Sequence, residues 1–328
     1  MAPAWRGPTA AERAHLIALN ASLGRALLAH RGPEGFGESA NMPASGLDTA
    51  RSFTALLAAH RAGAPLEPRA QLEVLLALDH ARLHGHWTER DGAAQLGTVE
   101  ATAWALIAYA RLDTITRAET ARARVTVARA ALLAAQRPDG GFPHLPDPSH
   151  VTSPRDSLLA TWALVEGAHD GDPPAVRESL ARALRWLRAA MDDGTSTVSR
   201  HAALTAQAGY VLARARDVMP PDPGDRGRVD AAARTLFTWC DATPVTQFEC
   251  ARPPADESAG LDPWRPWMVL ALDRFSRDGT LGARDDAHAS RVLRATLARW
   301  ITERDSLARR PTEGLALYIL AAASLRGE

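Results

Sequence analysis

The stretch AAQRPDGGFPHLPDPSHVTSPRDSLLATWALVEG, residues 134–167, contains the pattern on which the fold assignment depends. It begins at the end of one segment with helical apolar spacing, and a second such segment starts at Arg155. Between the two lies a link rich in proline and glycine, the residues that most often interrupt helices. The stretch therefore predicts a helix, a link and a second helix.

The same alternation recurs along the whole chain. One set of helices is amphipathic and rich in arginine, and it is predicted over residues 10–30, 67–83, 117–136, 174–191, 227–241 and 286–303. A second and more apolar set begins near Leu47, Thr98, Arg155, Ser199, Pro263 and Glu313. Period-two runs of Val, Ile and Thr, which would indicate strands, are almost absent.

Repeated helical hairpins bury their apolar helix only by stacking side by side, and curvature can close such a stack into a ring. The pattern predicts an all-α fold, an (α/α)6 toroid of six hairpins. The apolar helices then form the inner wall and the arginine-rich helices the outer wall. A single domain over residues 1–328 fits the length of the chain.

The charged residues narrow the range of functions. The chain has 38 basic and 38 acidic residues and a formal net charge of zero, so no basic surface indicates a nucleic-acid partner. Every basic residue is arginine, because the sequence contains no lysine. This excludes a Schiff-base lysine and the lysine of a P-loop.

The cysteines and the apolar runs predict a cytoplasmic protein. Cys240 and Cys250 are too few for a disulfide scaffold and match a reducing compartment. The N-terminal segment has no apolar run of signal-peptide length, and no segment approaches the length of a membrane span.

Residues 129–142, RAALLAAQRPDGGF, follow the pattern Gln-x3-Gly-x-aromatic at Gln136, Gly140 and Phe142. They resemble the QW-type repeats of squalene–hopene cyclases and protein prenyltransferase β subunits. The inner segments TVEATAWALIAYARL and LDTARSFTALLAAH are similar to inner helices of that superfamily. The resemblance implies the toroid fold and a hydrophobic small-molecule substrate, an isoprenoid or a prenylated compound. It assigns Gln136, Gly140, Gly141 and Phe142 a structural role between hairpins.

The acid motif of class II terpene cyclases is incomplete. Those enzymes protonate their substrate with the middle Asp of D-x-D-D, which lies at the start of an inner helix. The corresponding segments here are SGLD, ending at Asp48, and SPRD, ending at Asp156, so only the last Asp remains. The resemblance therefore implies either a relocated acid or a protein that is not a cyclase.

Four residues near the starts of inner helices are candidate catalytic groups: Asp156 first, then Asp48, Glu100 and His201. A protonated carboxyl would act as the acid, and His201 or water would accept the final proton. The links before inner helices border one mouth of a toroid, so these groups, with Glu249 and Asp262, are predicted to converge there. The alternative is that each carboxylate is a cap or first-turn residue of its helix.

Five aromatic residues on the inner segments are candidate substrate-binding residues: Trp104, Trp162, Tyr210, Trp267 and Tyr318. Their π faces can stabilise carbocations. Packing between helices is the alternative use of the same side chains.

No metal site and no cofactor are predicted. The pairs Asp192-Asp193 and Asp285-Asp286 lack the third carboxylate of a D-D-x-x-D cluster. Cys250 follows Glu249 without a matching His, so the zinc site of a prenyltransferase is not indicated. His80 and His84 have metal-pair spacing, but they also suit a helix end in solvent.

Three functions remain open at this point. The first is a class II terpene-cyclase-like enzyme, and the second is a non-catalytic toroid that binds a hydrophobic ligand or a protein. The third is a polysaccharide lyase or glycosidase, which needs paired carboxylates in a polar cleft. A closed apolar tunnel would favour the first, a lumen filled by its own side chains the second, and a polar groove the third. The QW-like repeat favours the terpenoid branch.

Overall fold

The computed structural model describes residues 5–91, 94–116, 119–147, 149–242 and 264–326. The six outer helices are α1 Ala10–Leu28, α3 Pro68–His80, α5 Glu119–Ala135, α7 Pro174–Asp192, α10 Asp225–Ala242 and α12 Ala283–Thr302. The six inner helices are α2 Gly46–Arg61, α4 Val99–Thr116, α6 Pro154–Glu166, α9 Ala202–Ala215, α11 Trp264–Arg277 and α14 Thr312–Ser324. Two short helices, α8 Thr197–Arg200 and α13 Arg304–Leu307, lie in links.

The inner helices form a closed ring. Each contacts the next in the order α2, α4, α6, α9, α11 and α14, and α14 returns to contact α2. The outer helices pack behind them, as α5 does on α4 and α7 on α6. The predicted (α/α)6 toroid is confirmed.

Burial separates the two sets of helices as their sequences predict. Helix α4 is buried on every side from Val99 to Ala110, which is typical of a helix apolar all round. Helix α7 buries one stripe at helical spacing, formed by Val176, Ser179, Leu180, Ala183, Leu184 and Leu187. Its arginines point away from that stripe, so the outer wall is amphipathic. No helix in the described ranges is long and apolar enough to cross a membrane.

Serine residues cap two of the inner helices. Ser45 Oγ accepts the Asp48 N–H at 3.0 Å before α2, and Ser153 Oγ accepts the Asp156 N–H at 3.4 Å before α6. Asp48 and Asp156 are therefore not the N-caps themselves but residues of the first turn. Their carboxylates lie beside the positive end of the helix dipole.

The links contain short strands that the sequence does not predict. Strands β1 Arg31–Gly32 and β2 Gly35–Phe36 form one antiparallel hairpin. Strands β3 Arg82–Leu83, β4 His86–Asp91 and β5 Ala94–Gly97 form an antiparallel sheet in the order β3-β4-β5. Tertiary contacts rather than strand propensity hold this sheet, since Trp87 is buried and its Nε1–H donates to the Leu78 carbonyl of α3 at 2.9 Å.

The QW-like link joins α5 to α6 within the third hairpin and also contacts α7 of the fourth. Gln136 Nε2 donates to the carbonyls of Gly140 and Ser179, each at 3.0 Å, and its Oε1 accepts from Ser179 Oγ and Arg182, each at 2.7 Å. Phe142 is fully buried, and its N–H donates to Ser157 Oγ at the start of α6. The spacing of the motif thus serves contacts between α5, α7 and α6.

We expect Gly140→Ala to destabilise the fold by at least about 2 kcal/mol, because an L side chain in the left-handed region is strained and meets backbone. Gly140 has φ +93, and a Cβ there would collide with the Arg182 carbonyl. Urea unfolding followed by circular dichroism measures the loss. Gly171→Ala is the control, since a Cβ at Gly171 meets nothing within 4 Å. Equal stability of the two variants would contradict this account of the link.

Candidate functional site

The N-terminal ends of the six inner helices meet at one end of the ring, because every inner helix follows an outer helix and runs in the same direction. We call this end the upper mouth. The first turns of the inner helices and the links that precede them form its border. The opposite end, formed by the C-terminal turns of the inner helices, is the lower mouth.

A network of five charged residues from four inner helices lies at the upper mouth. We call it the rim network, and its members are Asp48, Arg51, Glu100, Arg155 and Glu313. Arg51 Nη2 lies 2.6 Å from Glu100 Oε1 and 3.4 Å from Glu313 Oε1. Arg155 Nη2 reaches the same two oxygens at 3.0 and 3.1 Å. Asp48 Oδ1 is 3.9 Å from Arg51.

The rim network runs from the interior to the solvent. The side chains of Arg51 and Glu100 are 4% and 6% exposed, whereas those of Arg155 and Glu313 are 44% and 33% exposed. Two guanidinium groups therefore share two carboxylates across the border between core and water. A buried charge needs such partners, because its desolvation is costly.

His144 lies beside the rim network, in the link before α6. Its Nδ1 is 3.4 Å from Asp156 Oδ1, and its Nε2 is 3.9 Å from Glu89 Oε2 of β4. Asp156 is buried, while half of the His144 side chain is exposed. The hydrogen bond to Asp156 raises the pKa of His144, and the Asp156 charge adds to the effect. An imidazole held by a buried carboxylate at an open mouth is suited to proton transfer near neutral pH.

Two carboxyl groups at the upper mouth bind a proton more readily than usual. Burial raises the pKa of Asp48 above its ordinary value, although Arg51 opposes the shift. Burial and the neighbouring Glu100 raise the pKa of Glu89. A carboxyl with a raised pKa is the kind of group that serves as a general acid.

Sequence reasoning singled out Asp48 but not Glu89. Glu89 lies on β4, a strand that no apolar period predicts, so nothing in the sequence indicated that its side chain faces the upper mouth. The pairing of His144 with Asp156 follows only from the path of the link before α6.

An aromatic layer lies one helical turn or more below the rim network. Its members are Trp104, Trp162, Tyr210 and Trp267, all at most 6% exposed. The Trp162 ring meets Trp104, Trp267 and Tyr210 edge to face, with centroids 5.3, 5.4 and 5.8 Å apart. The Arg51 guanidinium lies 5.7 Å from the Trp104 ring centre. These side chains occupy the axis of the ring between the two mouths.

The remaining candidates lie elsewhere or lack a contact with the rim network. Tyr318, expected beside the other aromatics, packs on Trp300 of outer helix α12, with centroids 5.0 Å apart. His201 is the N-cap residue of α9, and within the described ranges no hydrogen bond or ion pair joins its side chain to the rim network. Glu249, Cys250 and Asp262 lie outside the described residues.

The other polar candidates have structural contacts. Asp192 pairs with Arg228 at 2.7 Å, and Asp193 Oδ1 accepts the Thr195 N–H. Burial raises the pKa of Cys240 to about 12, which keeps its thiol protonated. Among the residues that the structure describes, no group of three or more His, Cys, Asp or Glu side chains could hold a metal ion.

No family profile and no curated protein matches the chain. Among solved structures, the type II terpene cyclase MstE from Scytonema, in complex with geranylgeranyl dihydroxybenzoate, is 17% identical over 97% of this chain and 99% of that chain, with a TM-score of 0.59. A polysaccharide lyase is 14% identical over 96% of this chain and 97% of that chain, with a TM-score of 0.64. An ent-copalyl diphosphate synthase from Streptomyces platensis is 20% identical over 69% of this chain, with a TM-score of 0.49. The match spans 43% of the length of that synthase.

These similarities define a structural class. The chain has the α/α-toroid fold, which class II terpene cyclases share with carbohydrate-active enzymes. At such low identity the likeness concerns the fold alone, and unrelated functions occur on one fold. The site at the upper mouth must therefore be interpreted from its own residues.

We expect Arg51→Met to lower the free energy of unfolding by about 3–5 kcal/mol, because it leaves Glu100 buried with one partner fewer. Arg155→Met is the matched control, since Arg155 meets the same carboxylates from the solvent side and its loss should cost about 0–1 kcal/mol. Urea unfolding measures both. An equal loss in the two variants would contradict the assignment of Arg51 as the buried centre of the network.

We expect the His144–Asp156 pair to make stability depend on pH. The folded-state pKa of His144 lies above its unfolded value of 6.5, so the stabilisation is fully present below that value and is lost as the pH rises through the folded pKa. His144→Gln should therefore remove a fall in unfolding free energy that the wild type shows as the pH rises above 6.5. His15→Gln, on the exposed face of α1, is the control and should keep the wild-type slope. An unchanged slope in His144→Gln would contradict the pairing.

Proposed function

We propose that this protein is an enzyme that carries out general acid–base catalysis at the upper mouth. We propose further that its reaction is a protonation-initiated cyclisation of an isoprenoid or prenylated substrate, of the class II terpene cyclase type. The main supporting observation is a carboxyl group of raised pKa, Asp48, above a layer of aromatic rings at the axis of the toroid. Acid above and π faces below are the two components that such a reaction needs.

Asp48 is assigned as the acid in preference to the other candidates. Its Oδ2 accepts a hydrogen bond from Ser45 Oγ at 2.7 Å, which orients the carboxyl. Glu100 Oε1 already accepts from both Arg51 and Arg155, so this oxygen is occupied. Asp156 faces His144 and acts as a positioning residue for that imidazole. Glu89 is the second candidate for the acid, because its pKa is also raised.

We assign His144 as the base that accepts the final proton of the reaction. Its Nε2 is directed to the mouth side, towards Glu89, while its Nδ1 faces Asp156. A carboxylate behind an imidazole fixes the tautomer and stabilises the imidazolium that forms on proton uptake. Half of the His144 side chain is exposed, so the proton can pass from the imidazole to bulk water.

We assign to the aromatic layer the role of stabilising the carbocation that forms when the substrate is protonated. The position of the Arg51 guanidinium over Trp104 illustrates that a ring face in this layer accepts a positive charge. The rings pack edge to face, so a hydrocarbon chain enters only if Trp162 and its neighbours separate. We propose that the site belongs to a single domain over residues 1–328, and the contact of α2 with α14 supports this proposal.

A carbohydrate-active enzyme is the second candidate function. It is favoured by the exposure of Arg155, Glu313, Glu89 and His144, which makes the upper mouth polar and open to water. Carboxylates, an imidazole and arginines on an accessible surface suit a hydroxyl-rich substrate, and a polysaccharide lyase shares the fold. The closely packed aromatic layer favours a third outcome, a toroid that binds a ligand without turnover.

We expect Asp48→Asn to lower turnover of the active substrate by about 10²-fold or more, because a general acid contributes that much. The assay offers farnesyl and geranylgeranyl diphosphates, prenylated aromatic acids and unsaturated oligosaccharides, and detects products by mass spectrometry. A cyclised product with the mass of the substrate supports the terpenoid proposal. Asp305→Asn is the control, because this side chain on α13 is 85% exposed. It should keep the turnover of the wild type, which shows that the substitution and the purification do not themselves reduce activity.

The following outcomes would change the assignment. Full turnover in Asp48→Asn would overturn Asp48 as the acid, and full turnover in Glu89→Gln as well would overturn the second candidate. Turnover of oligosaccharides alone would favour the carbohydrate-active alternative, and binding without turnover of any substrate would favour the non-catalytic toroid.

A further inference from the structure

Gln207 of α9 faces the lumen one helical turn above Tyr210 of the aromatic layer. It lies three residues before Tyr210 and seven before Arg214, so the three side chains share one face of the helix. Tyr210 packs on Trp162 in the aromatic layer, and Arg214 lines a cavity at the lower mouth. The rise of an α-helix therefore places Gln207 about 4.5 Å nearer to the upper mouth than Tyr210.

The amide nitrogen of Gln207 is a buried donor without an acceptor. The residue is 3% exposed, and its Nε2 has no hydrogen-bond partner among the residues that the structure describes. The amide of Gln136, by contrast, donates two hydrogen bonds and accepts two more in the QW-like link. Burial of an amide donor without a partner is costly, so Gln207 does not stabilise the fold in the way that Gln136 does.

A second unpaired donor lies at the same level of the lumen. Trp104 is the sixth residue of α4, as Gln207 is the sixth residue of α9. Its Nε1–H is buried and has no partner within the described ranges, whereas Trp162 donates its Nε1–H to Glu166 at 2.9 Å. Two helices of the ring thus contribute a buried N–H group that no described group accepts.

The wall of the lumen at this level is otherwise mostly apolar. The sixth residues of α6 and α14 are Leu159 and Leu317, which are 3% and 1% exposed. Leu159 shares a helix face with Trp162, and Leu317 shares one with Glu313, so both leucines face the lumen. The sixth residue of α2 is Arg51, whose charge is already paired in the rim network. Unpaired donors in an apolar wall suit a ligand that carries one oxygen in an apolar body.

We propose, on the basis of the proposed terpenoid function, that Gln207 is a specificity-determining residue that binds an acceptor oxygen of the substrate. The substrate is then an oxygenated isoprenoid with a carbonyl group inside the lumen, and not a hydrocarbon. A carbonyl oxygen has two lone pairs, which matches the two unpaired donors of Gln207 and Trp104. A site built to donate a hydrogen bond rejects an analogue that lacks the acceptor, because the buried donor then stays unpaired.

Fluorescence titration of the whole protein with two probes tests this selectivity. One probe is the ketone farnesylacetone, and the other is the hydrocarbon in which a methylene group replaces the carbonyl of that ketone. We expect the wild type to bind the ketone about tenfold more tightly than the hydrocarbon, and Gln207→Leu to bind the two compounds equally. Gln95→Leu, at an exposed glutamine of β5, is the matched control and should keep the wild-type preference.

Circular dichroism and urea unfolding separate loss of selectivity from loss of the fold. Gln207→Leu should be at least as stable as the wild type, because it removes an unpaired buried donor. If this variant does not fold, Trp104→Phe replaces it, since an aromatic ring remains and the Nε1–H is lost. We expect Trp104→Phe to weaken the preference for the ketone in the same direction.

Three results would overturn the assignment of Gln207. They are a wild type that binds neither probe, a wild type that binds both equally, and a ketone preference that persists in Gln207→Leu. Equal binding would indicate that a buried water pairs with the two donors. Asp48→Asn should keep the ketone preference, because the measurement does not depend on turnover. A failure of the proposed catalysis is therefore distinguishable from a failure of this selectivity.

Discussion

The contact of the Arg51 guanidinium with Glu100 and Glu313 is the interaction on which the geometry of the upper mouth depends. Arg51 belongs to the first inner helix and Glu313 to the last, so this contact forms where the ring closes. A fully buried guanidinium is tolerated only with partners, because its desolvation costs several kcal/mol. The contact that closes the ring therefore also fixes the arrangement of the candidate site. Glu100 serves this closure, which is why Asp48 rather than Glu100 is the better candidate acid.

The lumen consists of three layers because the inner helices repeat their residue types with helical spacing. Along α4 the order is Glu100, Trp104 and Arg111, and along α6 it is Arg155, Trp162 and Glu166. Residues three or four apart lie on one face of a helix, so each layer collects equivalent positions from several helices. The result is a charged mouth, an aromatic layer and a second charged mouth. The aromatic layer separates the two mouths.

Apolar spacing predicts the helices well, because a helix that faces a core must repeat its apolar residues every three or four positions. The twelve long helices of the described ranges begin and end within a few residues of the predicted bounds. The sheet of β3, β4 and β5 was missed, since its strands are short and Trp87 anchors them to α3 through a tertiary contact. Tyr318 was expected in the lumen, but a shift of one position along a helix turns a side chain by about 100 degrees. Tyr318 therefore meets Trp300 of the outer wall instead.

The amino-acid sequence by itself determined the number of hairpins, the identity of the inner helices and the QW-like link, because these features are local patterns of burial and turn chemistry. Only the tertiary structure decided which charged groups meet. Arg51, Glu100, Arg155 and Glu313 are far apart in the chain and become neighbours only when the first and last hairpins touch. The same holds for His144, Asp156 and Glu89, which come from a link, a helix and an unpredicted strand. The protonation behaviour of each group depends on such neighbours and on burial, and neither is a property of a residue in isolation.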